Sequence, residues 1–354
     1  MIFLGDIALP HEVKFNVVSA KPIFRNMITI GNLEGGIHDI TEVTQKEYKI
    51  FNSPEVIRLL KDLNVKVVSL ANNHITDVSR NPGKTVAHLR KNSILACGAG
   101  DSIDTASEPV IISNSDKEIL FLAFGWHVIG CVYANKRQGG VNPLYPSHIF
   151  KTLNYYRKHY PDAIIIILMH WGYELELYPL PMHRQLAFDL IDYGVDGVIG
   201  SHAHCVQGVE IYKNKPIVYG LGNWVFPHGE YWNNRLFYPD MVKQQLAFEW
   251  DVFSGDKICH WFKYEDGNGH TLKYYKSEYL EESEYIQRIT SYTGLSHNEY
   301  VQWFKENRHK KKLLPVYGNY RMNTTNFILD LWMAVRSKLI ELLKPFLIYR
   351  QRNR

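Results

Sequence analysis

The sequence predicts an α/β fold that is built on a mainly parallel sheet and carries a helical C-terminal extension. Short apolar runs recur along the chain, and five of them end near polar residues of the kind that bind metals or transfer protons. Helix-like segments precede some of these runs, and alternation of strand and helix favours parallel strands covered by helices. Near residue 280 the pattern becomes helical and basic. We therefore expect a main domain over residues 1–280 and a helical, basic extension over residues 281–354.

Each of the five apolar runs is followed within a few residues by a candidate site residue. In chain order they are Met1–Leu4 before Asp6, Met27–Ile30 before Glu34, Val65–Leu70 before Asn73 and His74, Ala163–Met169 before His170, and Gly197–Ile199 before His202 and His204. Open α/β folds place their sites at the carboxyl ends of strands. We therefore expect these polar side chains to meet at one edge of the fold.

Two segments show helical periodicity with recognisable ends. The first, SPEVIRLLKDLN, has Ser53 as its expected N-cap and Pro54 in its first turn. The second runs from His183 to Gly194, and the closing glycine suits a helix C-terminus. Residues 240–280 contain pieces that alternate in the manner of strands. The two helices thus precede the third and fifth apolar runs, and more strands follow.

Composition argues against several classes of protein. The formal net charge of +4 is too small to indicate nucleic-acid binding. The four cysteines are scattered and form no C-x-x-C pair, so neither a disulfide scaffold nor a zinc–cysteine site is expected. No signal peptide precedes the first expected strand, and the longest apolar run is too short to span a bilayer. We therefore expect a cytoplasmic protein.

The polar residues after the apolar runs form a candidate metal site. Carboxylate, amide and imidazole donors without a thiolate suit Mn, Fe or Zn, as one ion or two. The expected ligands are Asp6, Glu34, Asn73, His170, His202 and His204. His74 directly follows Asn73, so we expect it to act on the substrate as a catalytic residue. Taken singly, each residue has an ordinary alternative as a cap, turn residue or polar loop, but their coincidence favours a metal site.

A set of motifs adds a family resemblance. In chain order they are GD at Gly5-Asp6, NLEG at Asn32–Gly35, SLANNHITD at Ser69–Asp77, GAG at Gly98–Gly100, GGVNPL at Gly139–Leu144, HWGYE at His170–Glu174, LIDYGVDGVIGSHAHCVQGVE at Leu190–Glu210 and KPIVYGLGNWVF at Lys215–Phe226. Over about residues 1–250 the chain resembles the CapA family, the bacterial capsule-synthesis proteins of poly-γ-glutamate type.

The resemblance implies a fold and a role for each site residue. CapA proteins are similar in fold to calcineurin-like metallophosphoesterases, so the implied architecture is a four-layer α/β/β/α sandwich with two metals at strand ends. The implied roles are Asp6 and His204 as ligands of the first metal, Glu34 as the bridging ligand, Asn73, His170 and His202 as ligands of the second metal, and His74 as the catalytic residue.

Three positions depart from the phosphoesterase pattern. Ala8 occupies the place of an expected histidine ligand, Glu34 replaces a bridging aspartate, and Asn72 replaces a glycine. The first metal therefore loses a nitrogen ligand, and one firmly held ion is as plausible as two. This loss puts simple phosphatase activity in doubt.

Two functions follow from these features. The first is a metal-dependent hydrolase that acts on a phosphoester or amide bond of a capsule or exopolymer substrate. The second is a non-catalytic assembly factor of a capsule or exopolysaccharide machine that keeps the fold. Ala8 and the basic C-terminal segment favour the second, whereas His74 favours the first because a purely structural metal site needs no added acid or base.

The C-terminal segment is expected to form a basic amphipathic helix. Its apolar residues at near-helical spacing are Phe327, Leu331, Val335, Leu339, Leu342 and Phe346, and its cations are Arg336, Lys338, Lys344, Arg350, Arg352 and Arg354. Such a helix can lie on a membrane surface or contact a biosynthetic machine. The alternative is a helix that packs back on the domain. Pro345 is expected to kink or end it near Lys344.

Overall fold

A computed structural model gives the fold of this chain. The structure describes residues 1–10, 15–18, 21–43, 49–114, 117–227, 239–265, 270–309 and 313–352, and for residues 343–352 it describes the backbone only. Arg354 and the side chains of Lys344, Phe346, Arg350 and Arg352 therefore lie outside the described part of the chain.

The described strands and helices alternate over much of the chain. The strands are β1 Ile2–Ile7, β2 Phe15–Val18, β3 Thr29–Leu33, β4 Val65–Ser69, β5 Leu95–Cys97, β6 Ala99–Gly100, β7 Val110–Asn114, β8 Lys117–Gly125, β9 Gly140–Val141, β10 Ile164–His170, β11 Gly197–Ser201, β12 Val209–Tyr212, β13 Lys215–Val218, β14 Asn223–Val225, β15 Gln244–Trp250, β16 Lys257–Glu265 and β17 His270–Tyr279. The helices are α1 Lys21–Phe24, α2 Val56–Asp62, α3 Gly83–Lys91, α4 Ile103–Ala106, α5 Pro146–His159, α6 Pro181–Asp192, α7 Glu284–Ile289, α8 His297–Asn307 and α9 Asn323–Arg352.

Two large sheets carry the strands that precede the candidate site. Nine described strands form the first sheet, in the order β2-β17-β16-β15-β1-β3-β4-β5, with β14 also paired to β1. Six form the second, in the order β12-β13-β11-β10-β8-β7. The strands β1, β3, β4 and β5 are parallel, as are β8, β10, β11 and β13, whereas β15, β16 and β17 pair antiparallel.

The two sheets pack face to face, with helices outside. Strand β10 shows this best because its side chains alternate between two cores. Ile164, Ile166 and Leu168 join the core shared with the first sheet. Ile165 and Ile167 face the other way and pack with residues of α5 and α6. Helices α2 and α3 cover the first sheet, so the predicted four-layer α/β/β/α sandwich is confirmed.

The predicted elements agree with the structure except at some ends. Strands β1 and β3 continue through Asp6 and Asn32, beyond the apolar runs that predicted them. Glu55, rather than Ser53, is the N-cap residue of α2, and the Ser53 hydroxyl has no partner among the described residues. Gly194 follows α6 with a φ of 103°, as expected of a helix-ending glycine.

The segment after β17 is helical, as predicted, and packs on the second sheet. Tyr300 and Phe304 of α8 are buried in the same core as α6. Helix α9 continues through Pro345 to Arg352, so Pro345 does not end the helix near Lys344, and the alternative, a kink, stays a prediction. A proline removes one backbone hydrogen bond, but it does not always end a long helix.

The domain boundary near residue 280 stays a prediction. In the described part of the chain, no helix combines the length and hydrophobicity required to span a membrane.

Candidate metal centre

The seven predicted site residues come together where the carboxyl ends of the two sheets meet. Asp6 ends β1, Glu34 follows β3, and Asn73 and His74 follow β4 in the first sheet. In the second sheet His170 ends β10, and the loop after β11 carries His202 and His204. Because β1, β3 and β4 are parallel neighbours, as are β10 and β11, their ends supply side chains to one place.

Glu34, His202 and His204 form the tightest group of metal-ligand side chains. One ligand atom from each lies within 4.8 Å of the others, and all three residues are buried. Among the described residues, neither carboxylate oxygen of Glu34 has a hydrogen-bond partner, and Nδ1 of His202 has none. A buried carboxylate without a partner is strongly unfavourable, and a bound cation would satisfy it. The donor set therefore fits a divalent metal.

Burial raises the pKa of the Glu34 carboxyl well above its ordinary value, and the nearby Asp6, Glu174 and Asp77 carboxyls raise it further. This direction follows from taking a charge out of water next to other negative groups. A cation at this point would have the opposite effect and favour the carboxylate.

Asp6 lies beside this group and is held from two sides. The Asn32 amide donates to Asp6 Oδ1 at 2.8 Å, and the backbone N–H of His202 donates to Asp6 Oδ2 at 3.2 Å. Nδ1 of His204 is 3.4 Å from the same Oδ2 atom. Burial raises the pKa of Asp6, while His204 and Asn32 act in the other direction. Because the Asn223 carbonyl oxygen accepts from Nδ1 of His204, the nitrogen left for a cation is Nε2, which lies 4.0 Å from Glu34 Oε1.

The loop after β11 bends sharply to bring both histidines into the site. The φ angles of His202 and His204 are 88° and 55°, in the left-handed region that residues other than glycine rarely adopt. Such conformations cost on the order of 1–3 kcal/mol each and tend to occur at functional sites. Nδ1 of His204 is 2.7 Å from Asn223 Oδ1, which orients the ring. The H-x-H pattern thus places two imidazoles on the same side of a tight loop.

His170 and Asn73 form a second pair of ligand side chains. Nε2 of His170 is 2.8 Å from Oδ1 of Asn73, and Nδ1 is 2.9 Å from the Ser201 hydroxyl. The rings of His170 and His202 have centroids 4.8 Å apart. Burial, with the neighbouring histidines, lowers the pKa of both His170 and His202 well below the ordinary value. Both are therefore neutral imidazoles, the form that binds metals.

His74 faces the site from a less buried position. Its Nε2 atom is 3.7 Å from Glu34 Oε1, and its side chain is 18% exposed. Its Nδ1 atom is 2.8 Å from Oδ2 of Asp77. Because a carboxylate only accepts, Nδ1 carries the proton and Nε2 is directed towards the site.

Sequence reasoning missed four residues that support these ligands. Asn32 holds Asp6, Asn223 orients His204, and Asp77 orients His74. Asn72 joins the loops after β3 and β4, because its amide donates to Leu33 O at 2.8 Å and its carbonyl accepts from Gly35 N–H at 3.1 Å. Each lies within a quoted motif, NLEG, SLANNHITD or GLGNWVF, so the motifs contained the signal.

Ala8 leaves no room for a ligand at the position where the resemblance implies a histidine. It is fully buried in a small apolar cluster with Ile50 and Phe226. Its backbone N–H donates to Val225 O at 2.7 Å. Packed apolar side chains therefore occupy the place of the expected histidine ligand.

A cavity of about 590 Å³ opens on the metal-ligand group at His202. Helix α9 contributes Asp330, Met333 and Arg336 to its lining, which also includes Glu174. The volume is in the range of small-molecule sites. The C-terminal segment thus lies directly beside the candidate metal centre.

Comparisons with known proteins show the family of this chain. The sequence model of a family described as "Bacterial capsule synthesis protein PGA_cap" matches residues 3–228. The "PGA biosynthesis protein CapA" of Bacillus subtilis (strain 168) is 30% identical over 242 residues, which are 64% of this chain and 63% of that protein. The "Capsule biosynthesis protein CapA" of Bacillus anthracis is 26% identical over 65% of this chain and 60% of that protein.

The alignment spans less than two thirds of the length of these relatives. Among solved structures, a 5'-nucleotidase precursor from Thermus thermophilus aligns with 79% of this chain and 49% of its own, at 11% identity and a TM-score of 0.37, a likeness too remote to support a conclusion. The family match, in contrast, includes every predicted ligand from Asp6 to His204 and His74 as well. The chain belongs to the bacterial capsule synthesis protein PGA_cap family.

Proposed function

We propose that this chain is a metal-dependent hydrolase that cleaves a phosphoester or amide bond of a capsule or exopolymer substrate. One observation carries the proposal: the buried Glu34 carboxylate has no hydrogen-bond partner among the described residues and faces His202, His204 and His74. A buried carboxyl group that accepts no hydrogen bond destabilises a fold that is held by packing alone. A site for a cation explains all four side chains together.

Glu34, His202 and His204 would hold the cation, with Asp6, His170 and Asn73 as further ligands for the same ion or a second one. The mixed oxygen and nitrogen donors suit Mn, Fe or Zn. When bound, a divalent ion supplies Lewis-acid polarisation of a phosphoryl or carbonyl oxygen and lowers the pKa of a bound water.

In its imidazolium form His74 would give its Nε2 proton to the leaving group, while its Nδ1–H stays bonded to Asp77. Asp77 fixes its ring, and Nε2 lies 3.7 Å from Oε1 of Glu34. A histidine so oriented can protonate an alkoxide or amine as the bond breaks. Asp77 acts through His74 and is therefore a positioning residue.

The cavity beside His202 would bind the substrate. Arg336 is one of its lining residues. A guanidinium at this place can bind a carboxylate or phosphate of a polymer unit. Glu174, another lining residue, can contact a cationic or hydroxyl group. The polymer itself is proposed from the family and not from these contacts.

A non-catalytic assembly factor is the second candidate. Ala8 favours it, because packing fills the place of an expected ligand. The exposed apolar residues of α9 favour it too, since they suit contact with other components. Under this alternative, the site would bind a structural ion and His74 would have no substrate. The cytoplasmic location stays a prediction under both.

A hydrolysis screen with the full chain separates the two. Protein loaded in turn with Mn, Fe or Zn is assayed on p-nitrophenyl phosphate, bis-p-nitrophenyl phosphate and γ-glutamyl-p-nitroanilide, beside metal-free protein. Turnover that requires metal supports the hydrolase. Stoichiometric metal binding with no turnover of any substrate class, and no difference between wild type and His74→Ala, supports the assembly factor.

A further inference from the structure

Helix α9 has two faces of different character. Met333 is buried in the apolar core that the second sheet forms with helices α5, α6 and α8, and Leu329 packs against the same core. Asp330, on this side, accepts from the Tyr317 hydroxyl at 2.8 Å and lies 3.0 Å from Nε2 of His127. This inner face fixes the helix on the domain and forms the wall of the cavity.

The outer face of α9 is apolar and exposed. Seven large apolar residues on it have exposed fractions between 42% and 68%: Phe327, Ile328, Leu331, Trp332, Val335, Leu339 and Leu342. At about 100° per residue they occupy an arc of roughly 140°. Isolated exposed apolar residues are common, but a continuous stripe of this length marks an interaction surface.

We propose that this outer face docks into the headgroup region of an anionic membrane. The charges beside the stripe favour lipid over a protein partner. Exposed Lys338 lies on the same face, and after Glu341 the sequence contains four cations and no acidic residue: Lys344, Arg350, Arg352 and Arg354. Basic and apolar residues along one helix suit a surface that is both anionic and oily. A lysine within the stripe can direct its amine to the headgroups while its methylene stem stays in the apolar layer.

Docking would bring the cavity close to the membrane. The inner face of α9 lines the cavity next to His202, and the outer face would contact lipid. The two environments would then be separated by about one helix diameter, or roughly 10 Å. A substrate held at the membrane could reach the candidate metal centre without crossing a large distance. The docking itself does not depend on the proposed hydrolase activity.

Vesicle co-sedimentation of the full chain tests the proposal. Vesicles of phosphatidylglycerol with phosphatidylcholine are compared with vesicles of phosphatidylcholine alone, at low and high salt. The variant Leu331→Glu with Leu339→Glu places two charges in the stripe, and Phe253→Glu is the matched control because Phe253 is 56% exposed on another surface. Circular dichroism and metal content show whether each variant keeps its fold.

We expect wild type and Phe253→Glu to sediment with the anionic vesicles and to be released by salt. The double variant should lose at least about tenfold in partition coefficient, because burial of one leucine is already worth about that factor. The proposal is overturned if wild type stays in the supernatant at low salt, or if the double variant binds as well as wild type. Wild-type dimers that the double variant abolishes, without vesicle binding, would instead assign the stripe to a second copy.

Discussion

Nε2 of His74 lies 3.7 Å from Oε1 of Glu34, so the proposed catalytic residue and the proposed central ligand face the same space. The two come from different strand ends, and Asn72 links them: its side-chain carbonyl accepts the N–H of Gly35, beside Glu34, and that of His74. The spacing between them is therefore set by the fold and not by contact of the two side chains alone.

His74→Ala should keep its metal and lose turnover. The ring lies beside the ligand group without being needed to hold the ion, so we expect turnover to fall by about 10²–10⁴-fold. Metal analysis and steady-state kinetics on the same preparation measure both quantities. Loss of metal in this variant would show that His74 is a ligand.

Asn72→Ala should destabilise the fold. The buried side chain bonds to Leu33 O and Gly35 N–H, and the variant leaves both groups without this partner. We expect the free energy of unfolding to fall by about 1–3 kcal/mol. Urea unfolding measures this, with Asn307→Ala as the control because that amide bonds to Trp303 O on an exposed helix. Equal effects of the two variants would contradict a special role for Asn72.

Gly5→Ala should destabilise the fold and weaken metal binding, because the added methyl group forces two backbone segments apart. A Cβ atom at Gly5 would lie 1.8 Å from Gly222 O, so β1 and the segment before β14 would have to separate. These segments carry Asp6 and Asn223, both of which contact His204. We expect a loss of at least about 3 kcal/mol in the free energy of unfolding, together with weaker metal binding.

Gly318→Ala is the control for this change, since a Cβ atom there meets nothing within 4 Å and the φ angle is not positive. It should unfold like wild type. If Gly5→Ala unfolds like the control, the close approach of the two segments does not constrain the site.

Ala8→His should not restore a ligand. The imidazole ring at this position would have to displace Ile50 or Phe226 from a packed apolar cluster. We expect a loss of about 1–3 kcal/mol in the free energy of unfolding and no gain in bound metal. Thermal unfolding and metal analysis measure the two effects. A variant with more bound metal and unchanged stability would show that the position is open to a ligand.

The sequence predicted which polar side chains lie together better than it predicted the contacts among them. Residues such as His170 could be recognised because each follows an apolar run, and strand ends converge in any parallel sheet. The sequence could not show the positive φ angles of His202 and His204 or the hydrogen bonds of Asn72. These features depend on how the two sheets meet. The start of α2 at Val56, with Glu55 as its N-cap, was missed because sequence patterns place the ends of helices less precisely than their interiors.

The amount of metal bound to the full chain tests the central claim most directly. Wild type, His202→Ala, Glu34→Gln and His159→Ala are loaded with Mn, Fe or Zn, separated from free ion by gel filtration and analysed by plasma mass spectrometry. His159 is the control because its imidazole is exposed at the end of α5. We predict about one ion or more per chain in wild type and His159→Ala, and loss of metal in the other two variants without loss of fold. A wild type free of metal under every loading condition, or a His202→Ala variant that binds as much metal as wild type, would contradict the account.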